Sequence, residues 1–328
     1  MLGLLRDWNE ADTPAPLVVA TSGSTGEPKR VLLSRAALRA SATATAGRLG
    51  GHGQWLLNLP ATYVAGLQVL FRSVLAGTAP VVQLEGDSLA AAAGRMVGER
   101  RYISLVPTQL HRLLDDPRSA EALSTFTTVL VGGASVPAPL RERAASAGVP
   151  VVATYGMSET CGGCVYDGVP LDGVAVATGS AGRIRIGGPV LFDGYDARPD
   201  LTGEVLRDGW FVTQDVGRLD DDGRLEVLGR VDDVVLSGGV NVPGPAVAER
   251  LRAHATVSAA EVVGVDDDEW GQRVVAFVVG DLSLDAARDW VAAVHPRTWA
   301  PREVVGVPEI PLLPNGKVDR VQLREWAR

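Results

Sequence analysis

Short apolar runs recur through the first half of the chain and are separated by stretches with helical spacing. The clearest helical stretches are 87–101 and 137–147, and Ser34 is placed to cap a helix that runs to about Leu49. The apolar runs are 17–20, 31–33, 55–59, 79–82, 102–106, 128–131 and 149–153. Strands that alternate with helices build largely parallel sheets. The pattern therefore predicts an α/β fold, in which ligands lie beyond the carboxyl ends of the strands.

The pattern changes near Leu171, from where strands become shorter and Gly/Asp turns more frequent, which predicts a small β-rich subdomain. A second boundary falls near 229–233. The residues beyond it have an α+β pattern and are numerous enough to fold alone. Their predicted elements are a helix at 247–254, strands at 260–265 and 273–279 with an acidic turn between them, and a helix at 285–294. We therefore expect one domain over 1–229 and a second over 230–328.

Composition limits the classes of protein to which the chain can belong. With 328 residues, 46% hydrophobic residues and a net charge of −8, it can bury a large core and form more than one domain. The acidic balance, without a basic patch interleaved with aromatic residues, argues against nucleic acid as a partner. No leader-like segment opens the chain and no apolar run is long enough to cross a membrane. The cytoplasm is therefore the expected location.

The sequence contains two cysteines, Cys161 and Cys164, in a CxxC arrangement. A tetrahedral metal site would need further ligands, and the four histidines are scattered along the chain. The expectation is therefore that this pair has neither a metal-binding nor a redox role.

A loop of glycine and hydroxyl residues follows the first apolar run directly. Its candidate ligand-binding residues are Thr21, Ser22, Gly23, Ser24, Thr25, Gly26 and Lys29. Glycines let backbone N–H groups approach an anion, the hydroxyls donate hydrogen bonds, and lysine adds a mobile positive charge. The GxxxxGK[ST] spacing of a P-loop is absent. The loop predicts a clamp for nucleotide phosphates, and a solvated Gly/Ser loop between a strand and the next element stays open as the alternative.

Three further motifs carry groups that suit Mg-ATP. Segment 155–160 offers an aromatic ring, a glycine, a hydroxyl and a carboxylate, although a helix entrance capped by Ser158 would also explain it. Segment 209–215 ends on Asp215, an acid that could accept two hydrogen bonds from a ribose or lie in a β-turn. Segment 313–320 contains an Asn-Gly turn that presents Lys317, which by itself is an exposed lysine.

In this order, the motifs resemble the acyl-adenylate-forming superfamily of acyl-CoA synthetases, firefly luciferase and nonribosomal adenylation domains. The resemblance extends over nearly the whole chain and implies a large domain that binds ATP and the acid, followed by a small mobile catalytic domain. The matching segments are TSGSTGEPKR (21–30), VLVGGASVP (129–137), TYGMSET (154–160), GWFVTQD (209–215), GRVDDVVLSGGVNVPG (229–244) and PNGKVDR (314–320).

The resemblance also implies a role for each matched residue. Lys317 would be catalytic, Glu159 would bind Mg²⁺, and Asp232 would be the hinge about which the small domain rotates between two half-reactions. The loop Ser237, Gly238 and Gly239 would open the channel for CoA. ATP would be held by Thr21 to Gly26 and Lys29 at the β- and γ-phosphates, by Gly132, Gly133, Ala134 and the stacked Tyr155 at the adenine, by Gly156, Met157 and Ser158 near the α-phosphate, and by Asp215 with Arg230 at the ribose.

Two residues depart from the superfamily pattern. Arg30 replaces the glycine that usually follows Pro-Lys, and Gln214 replaces the glycine that usually precedes the ribose-binding aspartate. Neither departure removes a functional group. Because their side chains are larger, we expect them to bear on loop mobility and turnover.

A narrower resemblance concerns the acid. Segments 65–73 (AGLQVLFRS) and 162–173 (GGCVYDGVPLDG), with about 20 residues before the phosphate loop, are similar to the short actinobacterial o-succinylbenzoyl-CoA synthetases of menaquinone biosynthesis. This resemblance implies ATP-dependent ligation of o-succinylbenzoate to CoA through an acyl-adenylate, with release of AMP and pyrophosphate. The cofactor and co-substrates implied are Mg²⁺, ATP and CoA.

The predicted acid-binding residues include a cation in an apolar helix over about 64–75. Gln68 and Arg72 are four residues apart and share one face of that helix. Arg72 would pair with the carboxylate that is not activated, unless its side chain extends to the surface.

Four other residues belong to the predicted acid-binding set. Gly162 and Gly163 would leave room beside a flat ring, or simply form a turn. Gly66 lies in the matching helical segment. Tyr63 occupies the position of a histidine that is usual in the family, and this change bears on recognition of the acid because tyrosine cannot become a cation near neutral pH.

Two alternative activities stay open at this stage: another aryl- or acyl-CoA synthetase, and an adenylating enzyme that loads a carrier protein. A non-catalytic nucleotide-binding protein is opposed by the presence of both Glu159 and Lys317. The expected partners are small molecules, and a homodimer is left open.

Overall fold

The computed structural model describes residues 1–21, 29–312 and 318–327, except the side chain of Ser180. The chain forms two compact units. The first comprises Met1–Ala177, Arg185–Thr213 and Leu219–Leu225, and the second comprises Thr178–Ile184, Gln214–Arg218 and Glu226–Arg328.

Strands occur throughout the described residues. They are β1 (Leu17–Ala20), β2 (Arg30–Leu33), β3 (Gln54–Leu57), β4 (Val81–Val82), β5 (Arg101–Leu105), β6 (Thr128–Val131), β7 (Val151–Met157), β8 (Gly162–Tyr166), β9 (Val169–Pro170), β10 (Ala175–Thr178), β11 (Arg183–Gly187), β12 (Gly194–Tyr195), β13 (Leu206–Arg207), β14 (Trp210–Leu219), β15 (Leu225–Arg230), β16 (Val234–Ser237), β17 (Val240–Pro243), β18 (Val257–Asp267), β19 (Gly271–Gly280) and β20 (Glu303–Gly306).

Helices alternate with the strands of the first unit and recur in the second. They are α1 (Leu2–Glu10), α2 (Arg35–Arg48), α3 (Val64–Leu75), α4 (Leu89–Gly94), α5 (Pro107–Asp115), α6 (Pro117–Ser124), α7 (Ala138–Ser146), α8 (Pro199–Val205), α9 (Gly244–Arg252), α10 (Leu284–Ala292) and α11 (Arg320–Trp326). Short 3₁₀ turns lie at Ser158–Thr160, Ser180–Gly182, Val231–Asp233 and Arg297–Trp299.

A seven-stranded sheet organises the first unit, with the order β4-β3-β5-β6-β7-β8-β9. Strands β3 to β7 pair in parallel, and β8 and β9 add antiparallel partners at one edge. Both faces are buried, so neighbouring residues of one strand enter different cores: Leu130 packs with Tyr166 on one face, whereas Val129 packs with helices α4 to α7 on the other. Strands buried on both faces are apolar throughout, and the predicted parallel α/β fold is confirmed.

The first two predicted strands do not belong to this parallel sheet. β1 and β2 are antiparallel neighbours, and β12 joins them in a separate three-stranded sheet. The phosphate-loop segment therefore connects the two strands of a hairpin rather than a strand and a crossover helix. Its ends are tied together, because the Thr21 N–H donates to the Lys29 carbonyl at 2.8 Å.

The helix predicted over 87–101 is shorter than the sequence indicated. It begins after the cap Ser88 and ends at Gly94. The chain then turns back to the sheet edge, where the Val97 and Gly98 N–H groups donate to the Gln54 side-chain oxygen at 2.8 and 3.0 Å. The side chain that holds the segment after the helix thus lies more than 40 positions away in the sequence. Helical spacing within the segment could not reveal it.

The second unit contains the α+β arrangement expected beyond residue 229. Its sheet has the order β17-β16-β19-β18, with β20 parallel to β19. Helices α9 and α10 pack on one face, and α11 packs on the other through Leu323. Arg320, at the start of α11, pairs with the half-buried Asp233 and with Glu261 on β18. The strands β10, β11, β13, β14 and β15 form the predicted β-rich part. In the part of the chain that the structure describes, no helix is long and apolar enough to cross a membrane.

Candidate active site

A cavity of about 140 Å³ lies at the carboxyl ends of the parallel strands of the first unit. The ends of β5, β6 and β7 form its floor, α3 forms one wall, and β8 forms another. It unites two sets of predicted residues. From the nucleotide set it contains Gly132, Gly133 and Gly156, and from the acid set it contains Arg72, Gly162 and Gly163.

Backbone atoms form one wall of this cavity because β7 and β8 meet there through glycines. The register shifts between Tyr155 and Gly156, which is the signature of a β-bulge. A Cβ on Gly156 would lie 2.1 Å from the Gly162 carbonyl oxygen, so only glycine fits. Gly162 has a φ of +96°, which also favours glycine. Gly162 and Gly163 therefore lie in a strand rather than in the turn that the sequence left open.

Arg72 is buried inside the cavity wall, with 6% of its surface exposed. Its guanidinium lies over the Trp55 ring, 4.9 Å from the centroid, and donates to the Thr45 hydroxyl at 3.2 Å. Its Nε is buried with no hydrogen-bond partner, and no described carboxylate lies within 4 Å of the guanidinium. Burial lowers the pKa of Arg72, and Tyr166 opposes this shift with a hydrogen bond. The surface-extended arginine that the sequence left open is thus excluded.

Gln68 lies one helical turn before Arg72 and lines the same cavity. Only 1% of its surface is exposed. Its amide nitrogen donates to the Cys161 carbonyl at 2.7 Å, while its Oε1 is buried without a partner. Two buried polar atoms beside the cavity, the donor Arg72 Nε and the acceptor Gln68 Oε1, therefore have no hydrogen-bond partner. Unpaired buried polar groups are costly, which indicates a polar ligand in this space.

The predicted metal ligand Glu159 lies in the 3₁₀ turn that follows β7. Its Oε1 accepts a hydrogen bond from the Tyr195 hydroxyl at 2.8 Å. Lys29 lies over the same ring, with Nζ 5.2 Å from the centroid. The predicted phosphate-binding lysine and the predicted Mg²⁺ ligand thus contact one tyrosine, which the sequence did not single out.

Among the described residues, no group of three His, Cys, Asp or Glu side chains is arranged to hold a metal. Mg²⁺ that binds with ATP is commonly held by one or two carboxylates together with substrate phosphates and water. Glu159 offers one such carboxylate, with one of its oxygens oriented by Tyr195. The donor set therefore suits the implied ion.

The backbone of segment 155–160 is the end of a strand followed by a 3₁₀ turn, and not the helix entrance that the sequence left open. Tyr155, Gly156 and Met157 belong to strand β7, and Ser158, Glu159 and Thr160 form the 3₁₀ turn. The buried Thr160 hydroxyl fixes this turn by donating to the Gly162 carbonyl at 2.7 Å. Ser158 begins a 3₁₀ turn after Met157 and caps no helix, so the alternative of a capped helix entrance is wrong.

The predicted ligand residues that do not line the cavity include Tyr63, Gly66 and Ala134. Tyr63 precedes α3 and is 53% exposed. Gly66 faces the preceding loop, where a Cβ would lie 2.3 Å from the Pro60 carbonyl oxygen. Ala134 is exposed in the loop after β6. Their ligand-binding roles stay predictions, and for Gly66 the structure provides a packing reason for glycine.

The predicted ribose, hinge and CoA-loop residues belong to the second unit. Asp215 lies in strand β14 rather than in a β-turn, and Arg230 ends β15. Asp232 is exposed in the 3₁₀ turn that follows. Gly238 and Gly239 form the two-residue turn after Ser237, between β16 and β17, with φ of +58° and +77°. Two positive φ values are typical of a type I′ hairpin turn.

The two departures from the superfamily pattern have simple local settings. Arg30 points its guanidinium at Asp196, 3.0 Å away, on the strand pair β2–β12. Gln214 is exposed on β14. Neither position has a positive φ, so neither backbone requires glycine. The predictions for Ser22, Gly23, Ser24, Thr25, Gly26 and Lys317 lie outside the described residues.

The cysteine pair is structural in its surroundings. Cys161 and Cys164 are fully buried, and both are free thiols. Burial raises the pKa of Cys161 far above its usual range and that of Cys164 to about 12. Because the thiolate is the nucleophile, we expect neither thiol to react with Ellman's reagent in the native protein at about pH 8. Both should react after unfolding in guanidinium. Fast native labelling would contradict this assignment.

Several residues that build the site carry weak sequence signals. Thr45 lies on the buried face of α2, four residues after Ser41, and such a polar pair on an apolar helix face is detectable. Trp55 and Tyr166 are ordinary strand residues until Arg72 is placed beside them. Tyr195 reaches the site because β12 pairs with β2, which is more than 160 residues earlier. No local sequence motif predicts the pairing of β12 with β2.

The fold and the site place this chain in a known class. It belongs to the AMP-binding enzyme family, whose pattern matches residues 6–209, while residues 246–317 match the AMP-binding enzyme C-terminal domain. The resemblance to acyl-adenylate-forming enzymes is therefore confirmed.

Two of the similar proteins are named for one acid, o-succinylbenzoate. The chain is 47% identical to a Mycobacterium tuberculosis protein named "Probable 2-succinylbenzoate--CoA ligase", covering 98% of this chain and 87% of that protein. It is similar to the o-succinylbenzoate CoA synthetase of Bacillus subtilis, solved with the acyl-adenylate intermediate (TM-score 0.77, 30% identity, 94% and 68% of the two chains). That synthetase was also solved with ATP and magnesium ion (TM-score 0.76, 28% identity, 94% and 69%). The narrower resemblance is thereby confirmed.

Proposed function

We propose that this protein ligates o-succinylbenzoate to CoA in two steps at the expense of ATP. In the first step a carboxylate oxygen attacks the α-phosphorus and pyrophosphate leaves. In the second the CoA thiol attacks the acyl carbon and AMP leaves. The family membership and the 47% identity to a 2-succinylbenzoate–CoA ligase support this activity, which is a step of menaquinone biosynthesis.

The observation that carries the choice of acid is the buried cation in the cavity. Arg72 is 6% exposed and has an unpartnered Nε. A buried charge without a counterion is costly. A ligand with a second carboxylate would supply the counterion, and guanidinium forms bidentate pairs with carboxylates. A simple benzoate or a fatty acid has one carboxylate only, which the adenylation step consumes.

The glycine wall accounts for the flat part of the acid. Gly162 and Gly163 present backbone to the cavity, and a Cβ on Gly163 would lie 3.1 Å from the Tyr166 ring. An aromatic ring lying against Gly162 and Gly163 would contact the backbone of β8, with the Thr154 and Tyr166 side chains beside it. The free carboxylate would then point to Gln68 and Arg72 on α3.

The adenylation step brings two anions together, so it needs positive charge at the α-phosphate. Lys317 would supply that charge, and Lys29 would neutralise the leaving phosphates. These two are the only lysines in a sequence with 31 basic residues, which supports a requirement for a compact ammonium at both positions. Glu159 would hold Mg²⁺, which when bound neutralises the departing pyrophosphate.

The second step would use the same cavity with different residues from the second unit. Rotation about Asp232 would withdraw Lys317 and bring the loop Ser237, Gly238 and Gly239 to the acyl-adenylate. The adenosine would be retained by the remaining predicted residues, with Asp215 and Arg230 on the ribose and Tyr155 on the adenine.

A panel of carboxylates scored by pyrophosphate release tests the acid. We expect o-succinylbenzoate to be turned over far better than benzoate, malonate or fatty acids, with a CoA thioester as product. Better turnover of a monocarboxylate would refute the choice of acid. Thioester formed only on a phosphopantetheinyl protein would instead support the carrier-loading alternative. ATP bound without pyrophosphate release would indicate a non-catalytic protein.

The proposed location of the enzyme follows from its substrates. ATP and CoA are cytoplasmic metabolites, so we place the enzyme in the cytoplasm. A homodimer stays a prediction, which light scattering after gel filtration would check.

A further inference from the structure

We infer that Tyr195 is a positioning residue of the adenylation site, which holds the Glu159 carboxylate in place for the metal and supports Lys29 on the face of its ring. The inference rests on the proposed adenylation chemistry but not on the identity of the acid.

Tyr195 is fixed before any ligand binds. It lies in β12 opposite Val31, is 5% exposed, and packs its ring edge-on against Phe192 with centroids 5.0 Å apart. Phe192 in turn packs against Phe211. A ring enclosed in this way has little rotational freedom, so its hydroxyl points in one direction.

That hydroxyl donates to Glu159 Oε1 at 2.8 Å. The same segment also holds the Glu159 backbone, because the Phe192 N–H donates to the Glu159 carbonyl at 2.9 Å. Glu159 is thus held at its main chain and its side chain by one short stretch.

The ring face serves the second charged group. Lys29 Nζ lies 5.2 Å from the ring centroid, within the range of a cation–π contact. Because β2 pairs with β12 directly after Lys29, the lysine and the tyrosine are held at adjacent positions. One side chain therefore orients the proposed metal ligand through its hydroxyl and a proposed phosphate-binding lysine through its ring.

A tyrosine that merely satisfies its buried hydroxyl would show the same hydrogen bond. The two roles differ in what the hydroxyl does for Mg²⁺. Partners that orient a metal ligand typically change metal affinity or activity by about 10–100-fold when removed. A purely structural hydroxyl would change stability but not the Mg²⁺ requirement.

Tyr195→Phe removes the hydroxyl and retains the ring. We expect the Mg²⁺ concentration for half-maximal binding of α,β-methylene-ATP, measured by calorimetry, to rise by about 10-fold or more. Pyrophosphate release should fall with it. Thioester formation from a supplied acyl-adenylate should change little, since that step follows pyrophosphate departure.

Tyr102→Phe is the matched control, because its hydroxyl is also buried and donates to the Leu49 and Gly51 carbonyls instead. It should leave the Mg²⁺ requirement unchanged at a comparable thermal stability. An unchanged Mg²⁺ requirement in Tyr195→Phe, or an equal change in both variants, would overturn the inference.

A double-mutant cycle with Glu159→Gln tests whether Tyr195 acts through the Glu159 carboxylate. When Tyr195 acts through Glu159, the double variant should bind Mg²⁺ with the nucleotide no more weakly than Glu159→Gln alone. Additive losses would overturn the inference. The Mg²⁺ titration requires no acid, so a wrong choice of o-succinylbenzoate would leave this result intact.

Discussion

Replacing Lys317 by alanine should reduce adenylate formation by about 10²–10³-fold, equivalent to about 3–4 kcal/mol of transition-state stabilisation. The carboxylate and the α-phosphate are both anions, so the positive charge between them stabilises the transition state more than the bound substrates. Thioester formation from a supplied acyl-adenylate should be largely intact. Pyrophosphate release and single-turnover thioester formation measure the two steps separately.

Lys317→Arg is the control that keeps the charge. Since the chain uses arginine at nearly every other basic position, a site satisfied by charge alone would accept it. We expect a clear loss of adenylation, smaller than that of Lys317→Ala, because a planar guanidinium does not replace a compact ammonium. Equal loss of both half-reactions in Lys317→Ala would contradict the rotation of the second unit about Asp232.

The parallel sheet could be predicted because each of its strands is recognisable from its own local sequence. Runs such as 129–131 are apolar throughout, as expected when both faces of a sheet are covered. The sheet to which a run belongs is not a local property. The runs 17–20 and 31–33 are as apolar as the strands of the parallel sheet. They nevertheless form a separate antiparallel sheet with β12. Beyond the early end of α4, the chain is likewise held by a residue from another strand, Gln54.

The site residues also divide into those that local spacing predicts and those that depend on the tertiary structure. Gln68 and Arg72 could be assigned to one helix face from their spacing alone, and the structure places both in the cavity. The partners that hold them, Thr45 and Trp55, come from other elements. Gly156 is a case in which the motif gives the wrong reason for a residue. The motif predicts a glycine that makes room for a ligand, whereas a Cβ at this position would collide with the Gly162 carbonyl oxygen across the bulge. Sequence patterns identify residues that meet a ligand better than residues that position them.

Replacing Arg72 by methionine should lower kcat/KM for o-succinylbenzoate by about 10²–10³-fold, since removing one partner of a buried charge pair costs about 2–5 kcal/mol or more. Methionine fills the volume of the stem without its charge. The loss should be specific for the dianion. For the two analogues that each lack one carboxylate, the analogue without the carboxylate that meets Arg72 should be turned over no worse by the variant than by the wild type.

Two further arginine variants separate the charge of Arg72 from its geometry. Arg72→Lys keeps a cation but loses the planar fork and the contact with Trp55, so its activity should lie between those of wild type and Arg72→Met. Arg48→Met removes a guanidinium from α2 that donates to the Val169 and Pro170 carbonyls outside the cavity. It should leave the preference for the dianion unchanged. If Arg72→Met lost activity equally on the dianion and on the analogue without the carboxylate that meets Arg72, Arg72 would stabilise the cavity rather than recognise the second carboxylate, and the acid would have to be chosen on other grounds.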